Sequence, residues 1–174
     1  MNEAVFAMND SMLNEPENFT QYHGRLEKHH EEKLQLQSSQ AYRLLFGYSY
    51  GFGTGIYTIK KNKKGGLLTI KHRYSEEGKK AYCLPDTTIT LQLTHKQWNE
   101  LVEQFGSNCF WTIPSPIQNR GLDGGIWILE AFDPKANNPR HHTYAIAARW
   151  SPGQHSAFGK ICHRIMVYEE TLNE

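Results

Sequence analysis

Residues 86–105, DTTITLQLTHKQWNELVEQF, change period part-way along. Over the first half Ile89, Leu91 and Leu93 fall on one side and Thr88, Thr90 and Gln92 on the other. That two-residue alternation marks a strand that buries one face. Thr94 then offers an N-cap, Gln97 three residues on completes a capping box, and Trp98, Leu101, Val102 and Phe105 form one apolar stripe before Gly106. The window predicts a half-buried strand running directly into an amphipathic helix, whose stripe must pack on a sheet.

Working outward, the upstream runs YRLLFGYSY and GIYTIKK read as strands joined through glycines, and LLTIKHRYS follows the turn signal NKKGG. Together with residues 86–93 they make an antiparallel meander. Downstream, CFWTIPSP reads as a strand or sheet edge closed by prolines. GIWILEAF and HTYAIAARW read as a hairpin across DPKANNPRH. A closing helix from about residue 155 to 170 gathers Phe158, Ile161, Cys162, Ile165 and Met166 on one side. Strands in runs, with helices set between them, predict an α+β fold: an antiparallel sheet of about five to seven strands packed by two helices. Residues 1–40 are polar and form a separate arm, with weak helical spacing from about Phe19 to Gln37, expected to stay mobile until it packs on something. Residues 41–174 form the single α+β domain.

A chain of 174 residues suffices for one core without metal or disulfide. The formal charge of +1 supplies no basic field, so nucleic acid is not the expected partner. Three cysteines without a CxxC pair point to a reducing compartment. No apolar run approaches the ~20 residues of a membrane span, and the opening residues lack a signal-peptide pattern. The expectation is a cytoplasmic protein, or a periplasmic one should a leader precede Met1.

Each candidate chemistry meets a structural alternative. The glycines of GYSYGFGTGIY lead into a strand rather than a helix and lack the GK[ST] of a phosphate loop. His23, Glu27 and His30, and the adjacent His141 and His142, match no recognised ligand spacing, so neither metal nor another cofactor is expected. Cys162 lies on an apolar stripe and Cys109 sits beside Phe110 and Trp111, so both read as core residues. Asp123 and Glu130 resemble an acid/base pair, yet along one strand they stand roughly 23 Å apart and differ in parity. Carboxylate pairs in glycoside hydrolysis work at about 5–10 Å. Pairing positions that sum to 275 would instead set Arg149 opposite Ile126 and Glu130 opposite Ala145 near His142. Asp123 and Arg149 would then meet as a salt-bridged corner, with Trp127 and Trp150 as apolar anchors.

The helix LTHKQWNELVEQF, then CFWTIPSP, GLDGGIWILEAF and YAIAARWSP, taken in order, resemble the signature of a family of uncharacterised bacterial proteins, with YRLLF a fainter match upstream. The resemblance covers about the last half of the chain. It implies a shared fold but no established activity, and it marks Asp123, Trp127, Glu130, Arg149, Trp150, Ser151 and Pro152 for testing. Family members often carry a histidine where this chain has Ala145, which weakens that histidine as a general catalytic group.

The reading that follows is a non-catalytic bacterial binding protein, such as an inhibitor or immunity protein that neutralises a protein partner. Its candidate surface is the aromatic series Tyr48, Tyr50, Phe52 and Tyr57. The alternative is a small hydrolase using Asp123, Arg149 and a histidine such as His142 at the end of the C-terminal hairpin.

Overall fold

The computed structural model describes residues 24, 26–27, 29–47, 52–112, 124–135 and 143–170. Six strands, β1 (Ala41–Gly47), β2 (Gly53–Asn62), β3 (Gly65–Tyr74), β4 (Thr87–Leu93), β5 (Ile126–Phe132) and β6 (Tyr144–Trp150), form one sheet in the order β4-β3-β2-β1-β5-β6. Every neighbouring pair is antiparallel. Among the described residues, the helices α1 (Glu76–Tyr82), α2 (His95–Ser107) and α3 (Ala157–Glu170) accompany it. The architecture is α+β, and β1 to β4 form the meander. No helix among the described residues is long and apolar enough to cross a membrane.

The change of period at residue 94 holds in three dimensions. Thr94 Oγ1 accepts from the Gln97 amide, and the Gln97 side chain accepts from the Thr94 amide, closing the capping box. The stripe of α2 buries Trp98, Leu101 and Phe105 on one side of the sheet, here called the helix face. Gly66 lets Trp98 approach β3, because a Cβ there would stand 2.7 Å from the indole ring. Tyr42 packs between Trp98 and Phe105, with ring centroids 5.6 and 4.1 Å away. α3 lies beside α2, tied to it by the Arg164–Glu100 ion pair and by Tyr168 donating to the Gln97 carbonyl at 2.9 Å.

Several elements differ from expectation. α1 carries no apolar stripe, so periodicity misses it. Its signals are a Ser75 cap that accepts from the Gly78 amide, acids in the first turn and lysines in the last. Phe110–Thr112 forms a single 3-10 turn at the end of α2 rather than a strand. Cys109 takes a left-handed conformation that turns the chain back, setting Phe110 edge-on to Phe105 at 5.0 Å. Cys109 is consequently exposed, and only Cys162 of the expected pair is a core thiol. Of the proposed helix over residues 19–37, Gly24, Leu26 and Glu27 are helical, residues 19–23 lie outside the described residues, and the helix does not continue past His29. Turns bond the His29 and Glu31 amides to the Leu26 carbonyl, and a short 3-10 turn follows at Leu34–Leu36. Arg43 takes the Glu32 carbonyl at 2.6 Å, an acceptor that a continuing helix would have used internally.

The β5–β6 register sums to 276, one residue away from the proposed pairing: Phe132 faces Tyr144, and Glu130 faces Ile146. A one-residue slip exchanges the faces of a strand. Here it puts Ala145 and Ala147 with Leu129 and Ala131 on the helix face, in the same buried cluster as Phe158, Ile161 and Ile165 of α3. Tyr144, Ile146 and Ala148 turn to the reverse face. That face has its own apolar cluster, closed over by Leu26 and Leu34 from the N-terminal segment.

Candidate functional site

The sequence-nominated residues divide between the two faces. Glu130 lies two residues inside the loop end of β5, as expected, but on the reverse face, opposite Arg43 on β1 and Ile146 on β6 rather than Ala145. Arg43 and Glu130 are each 1% exposed. Arg43 Nη1 donates to Glu130 Oε2 at 3.1 Å, its Nε to Thr58 Oγ1 at 3.3 Å and its Nη2 to the Glu32 carbonyl. Tyr144 completes the set by donating to Glu130 Oε1 at 2.5 Å. A buried ion pair persists only when its donors and acceptors are met in this way. The network supports the fold and pins the N-terminal segment, with help from the Lys71–Glu31 ion pair. Sequence reasoning passed over Arg43, although β1 and β5 each carry a single charge in an otherwise apolar strand, of opposite sign.

Trp127, Arg149, Trp150 and Ser151 stay together at the other end of the hairpin. Arg149 faces Trp127 across the ladder on the helix face, and Trp127 stacks on Phe46 at 5.2 Å, the anchor expected of it. Trp150 points to the reverse face opposite Ile126. Ser151 ends the strand in a left-handed conformation. Its amide donates to the Gly125 carbonyl at 2.9 Å, and its hydroxyl accepts from the Gly125 amide at 3.1 Å. The glycine pair of LDGG is needed for this corner. Gly124 has φ +127°, and a Cβ on it would lie 1.9 Å from Ser151 Oγ. Asp123 and His142 lie outside the described residues, as do Tyr48 and Tyr50 and the histidines His23, His141 and His142.

Beyond Ser151 the chain folds over the start of α3. Ser156 Oγ donates to the Gly153 carbonyl at 2.7 Å and accepts from the Gly159 amide at 3.0 Å, an N-cap that fixes the first turn. Between this turn and the end of β6 lies a cavity of 340 Å³, lined by Arg149, Trp150, Ser151, Pro152, Ser156 and Phe158 among others. Arg149 is half-buried, its guanidinium 5.7 Å from the Phe158 ring centroid and donating to the Ala148 carbonyl at 2.6 Å. Burial pulls its pKa below the ordinary arginine value. A guanidinium nevertheless stays protonated at any physiological pH.

A second cluster lies at the far end of α3 on the helix face. Tyr57 donates to the Glu169 carboxylate, whose other oxygen is 2.8 Å from His72 Nε2. Tyr57 is 1% exposed, so it is no part of an exposed aromatic surface. Phe52 is half-buried, its carbonyl accepting from the Ser75 amide at 2.8 Å. Two-sided sheet packing, with Tyr57 against Phe46 and His72, accounts for the tyrosine.

No protein-family model matches the chain, and a search among curated proteins finds no similar sequence.

Proposed function

We propose that this is a non-catalytic binding protein that grips an acidic group of a protein partner at the β6–α3 corner, as an inhibitor or immunity protein would. One observation carries the reading: Arg149 and the first turn of α3, where the helix dipole is positive, line the same concavity. A carboxylate entering it would meet a guanidinium whose position is restrained by the Phe158 ring, with Trp150 among the lining residues. Arginine and tryptophan anchors of this kind dominate interface energetics, each contributing about 2 kcal/mol or more on truncation. The resemblance in the RWSP stretch fits a corner that recurs for its own sake, since the residues of that stretch form its rim.

The test is affinity capture with wild type, Arg149→Ala and Trp150→Ala as baits, followed by titration of whatever wild type retains. Each variant is expected to weaken binding by about 30-fold, the equivalent of ~2 kcal/mol, and wild-type binding should weaken as salt rises. A partner held equally by all three baits would overturn the reading. The competing proposal is a hydrolase built on Asp123, Arg149 and His142, of which Arg149 alone is among the described residues and lines this cavity. Turnover of simple ester or phosphate substrates by wild type, lost in Arg149→Ala, would favour it instead.

A further inference from the structure

The two outer strands of the sheet are finished differently. β6 is covered from Tyr144 to Ala148, with Ala145 5%, Ala147 1% and Ala148 1% exposed. β4 is open: among the described residues no strand pairs with its outer edge, and Thr88, Thr90 and Gln92 are exposed. Natural edges are usually blunted by lysine, proline, a bulge or shortness. β4 shows none of these devices. From Thr87 to Thr94 there is no charge, proline or glycine. Its seven ladder pairs with β3 keep one constant register from Gly66–Leu93 to His72–Thr87, so the strand is unbulged.

The strand is also close to a palindrome. Antiparallel pairing of TTITLQL with itself about Thr90 sets Thr90 against Thr90, Ile89 against Leu91 and Thr88 against Gln92. Ile89 and Leu91 lie on the helix face, only partly buried against the core beside Val102, so pairing would continue that apolar surface across the two-fold axis. On the reverse face, Thr90 meets Thr90 and each Thr88 meets a Gln92, polar against polar. At the flank, Asp86 is held within its own copy by the Tyr74 amide and Lys79, so the pairing rests on the strand itself. Leu84, 48% exposed, adds apolar surface at the same flank.

We propose that two copies of this chain associate through their β4 edges, antiparallel about Thr90, joining two six-stranded sheets into one. This surface is separate from the β6–α3 corner, at the opposite edge of the sheet. An isologous two-fold contact is the commonest way for a chain to pair with itself, and an edge strand provides it through main-chain hydrogen bonds. With one strand and its flanks in contact the interface falls at the small end, below about 1,200 Å² in total, which calls for a dissociation constant of roughly micromolar order.

Sedimentation velocity from about 1 to about 200 μM, bracketing the affinity expected of so small an interface, tests the proposal. Wild type should pass from monomer to dimer. Thr90→Lys, which sets two like charges face to face at an exposed position, should remain monomeric with an unchanged melting curve. In a Cys83→Ser/Cys109→Ser background, Thr90→Cys should form a disulfide-linked dimer on mild oxidation, because only this register places residue 90 against itself. A wild type that stays monomeric throughout, or a dimer that survives Thr90→Lys and fails to cross-link through Cys at 90, would overturn the proposal.

Discussion

On the helix face, Tyr42, Tyr57, Leu68 and Ile70 of the sheet meet Trp98, Leu101 and Phe105 of α2 and Phe158, Ile161 and Ile165 of α3. On the reverse face, the same strands place Arg43, Thr58 and Glu130 at the centre of an apolar ring, and Leu26 and Leu34 from the N-terminal segment close over them. The first face is held by area, about 25 cal/mol for each Å² of apolar surface removed from water, and such surface is indifferent to direction. The second depends on a few bonds whose geometry must be met, since a buried charge without its partner costs several kcal/mol. Burial alone thus does not describe a sheet covered on both sides. One side can repack, and the other must register.

The sharpest way to break the comparison is to remove one charge. Arg43→Ala or Glu130→Ala should each cost about 3–5 kcal/mol in urea unfolding, while Arg43→Met with Glu130→Leu should cost far less than the sum of the single changes. Additive costs would mean that the pair is not a unit. Next comes the cover itself. Leu34 is fully buried, so Leu34→Ala should cost about 2–5 kcal/mol if the N-terminal segment belongs to the core, and under about 0.5 kcal/mol if it is a loose arm.

A third test separates the faces by pH. Burial pushes the Cys162 thiol well up, and burial also raises the Tyr42 and Tyr168 hydroxyls; all three lie on the helix face. A raised folded pKa means that the unfolded chain loses its proton first. The stability contributed by Cys162 is therefore whole below the ordinary thiol range, near 8.5, and declines as pH rises past it, by at most about 1.4 kcal/mol per unit. Cys162→Ala should flatten the stability curve between pH 8.5 and 10, as measured by denaturant unfolding across that window; parallel curves for the two proteins would sink the assignment. Native protein should also present only Cys83 and Cys109 to a thiol reagent. The smallest effect is local: Thr94→Ala removes one cap from α2 and should cost about 1 kcal/mol.

The features legible in the sequence are those whose cause lies within a few residues. The alternation of Ile89, Leu91 and Leu93, the Thr94–Gln97 capping box and the Trp98–Phe105 stripe each depend on near neighbours, and each stands in the structure as read. Gly124 and Gly125 shape the corner at Ser151 for equally local reasons. The pairing of Arg43 with Glu130 spans 87 positions, and only the isolated charge in each strand hints at it. The β5–β6 register escaped because both pairings are acceptable along the hairpin itself. The observed pairing is the one that turns Tyr144 to the reverse face, where it bonds Glu130 of the buried network.

By itself, then, the sequence determined the run of strands, the capped helix and the α+β class, since period and capping are short-range properties of the backbone. The tertiary structure alone decided which face each β6 side chain takes, which segment covers the buried ion pair and which sheet edge is left open. Those depend on surfaces that do not exist until distant elements meet.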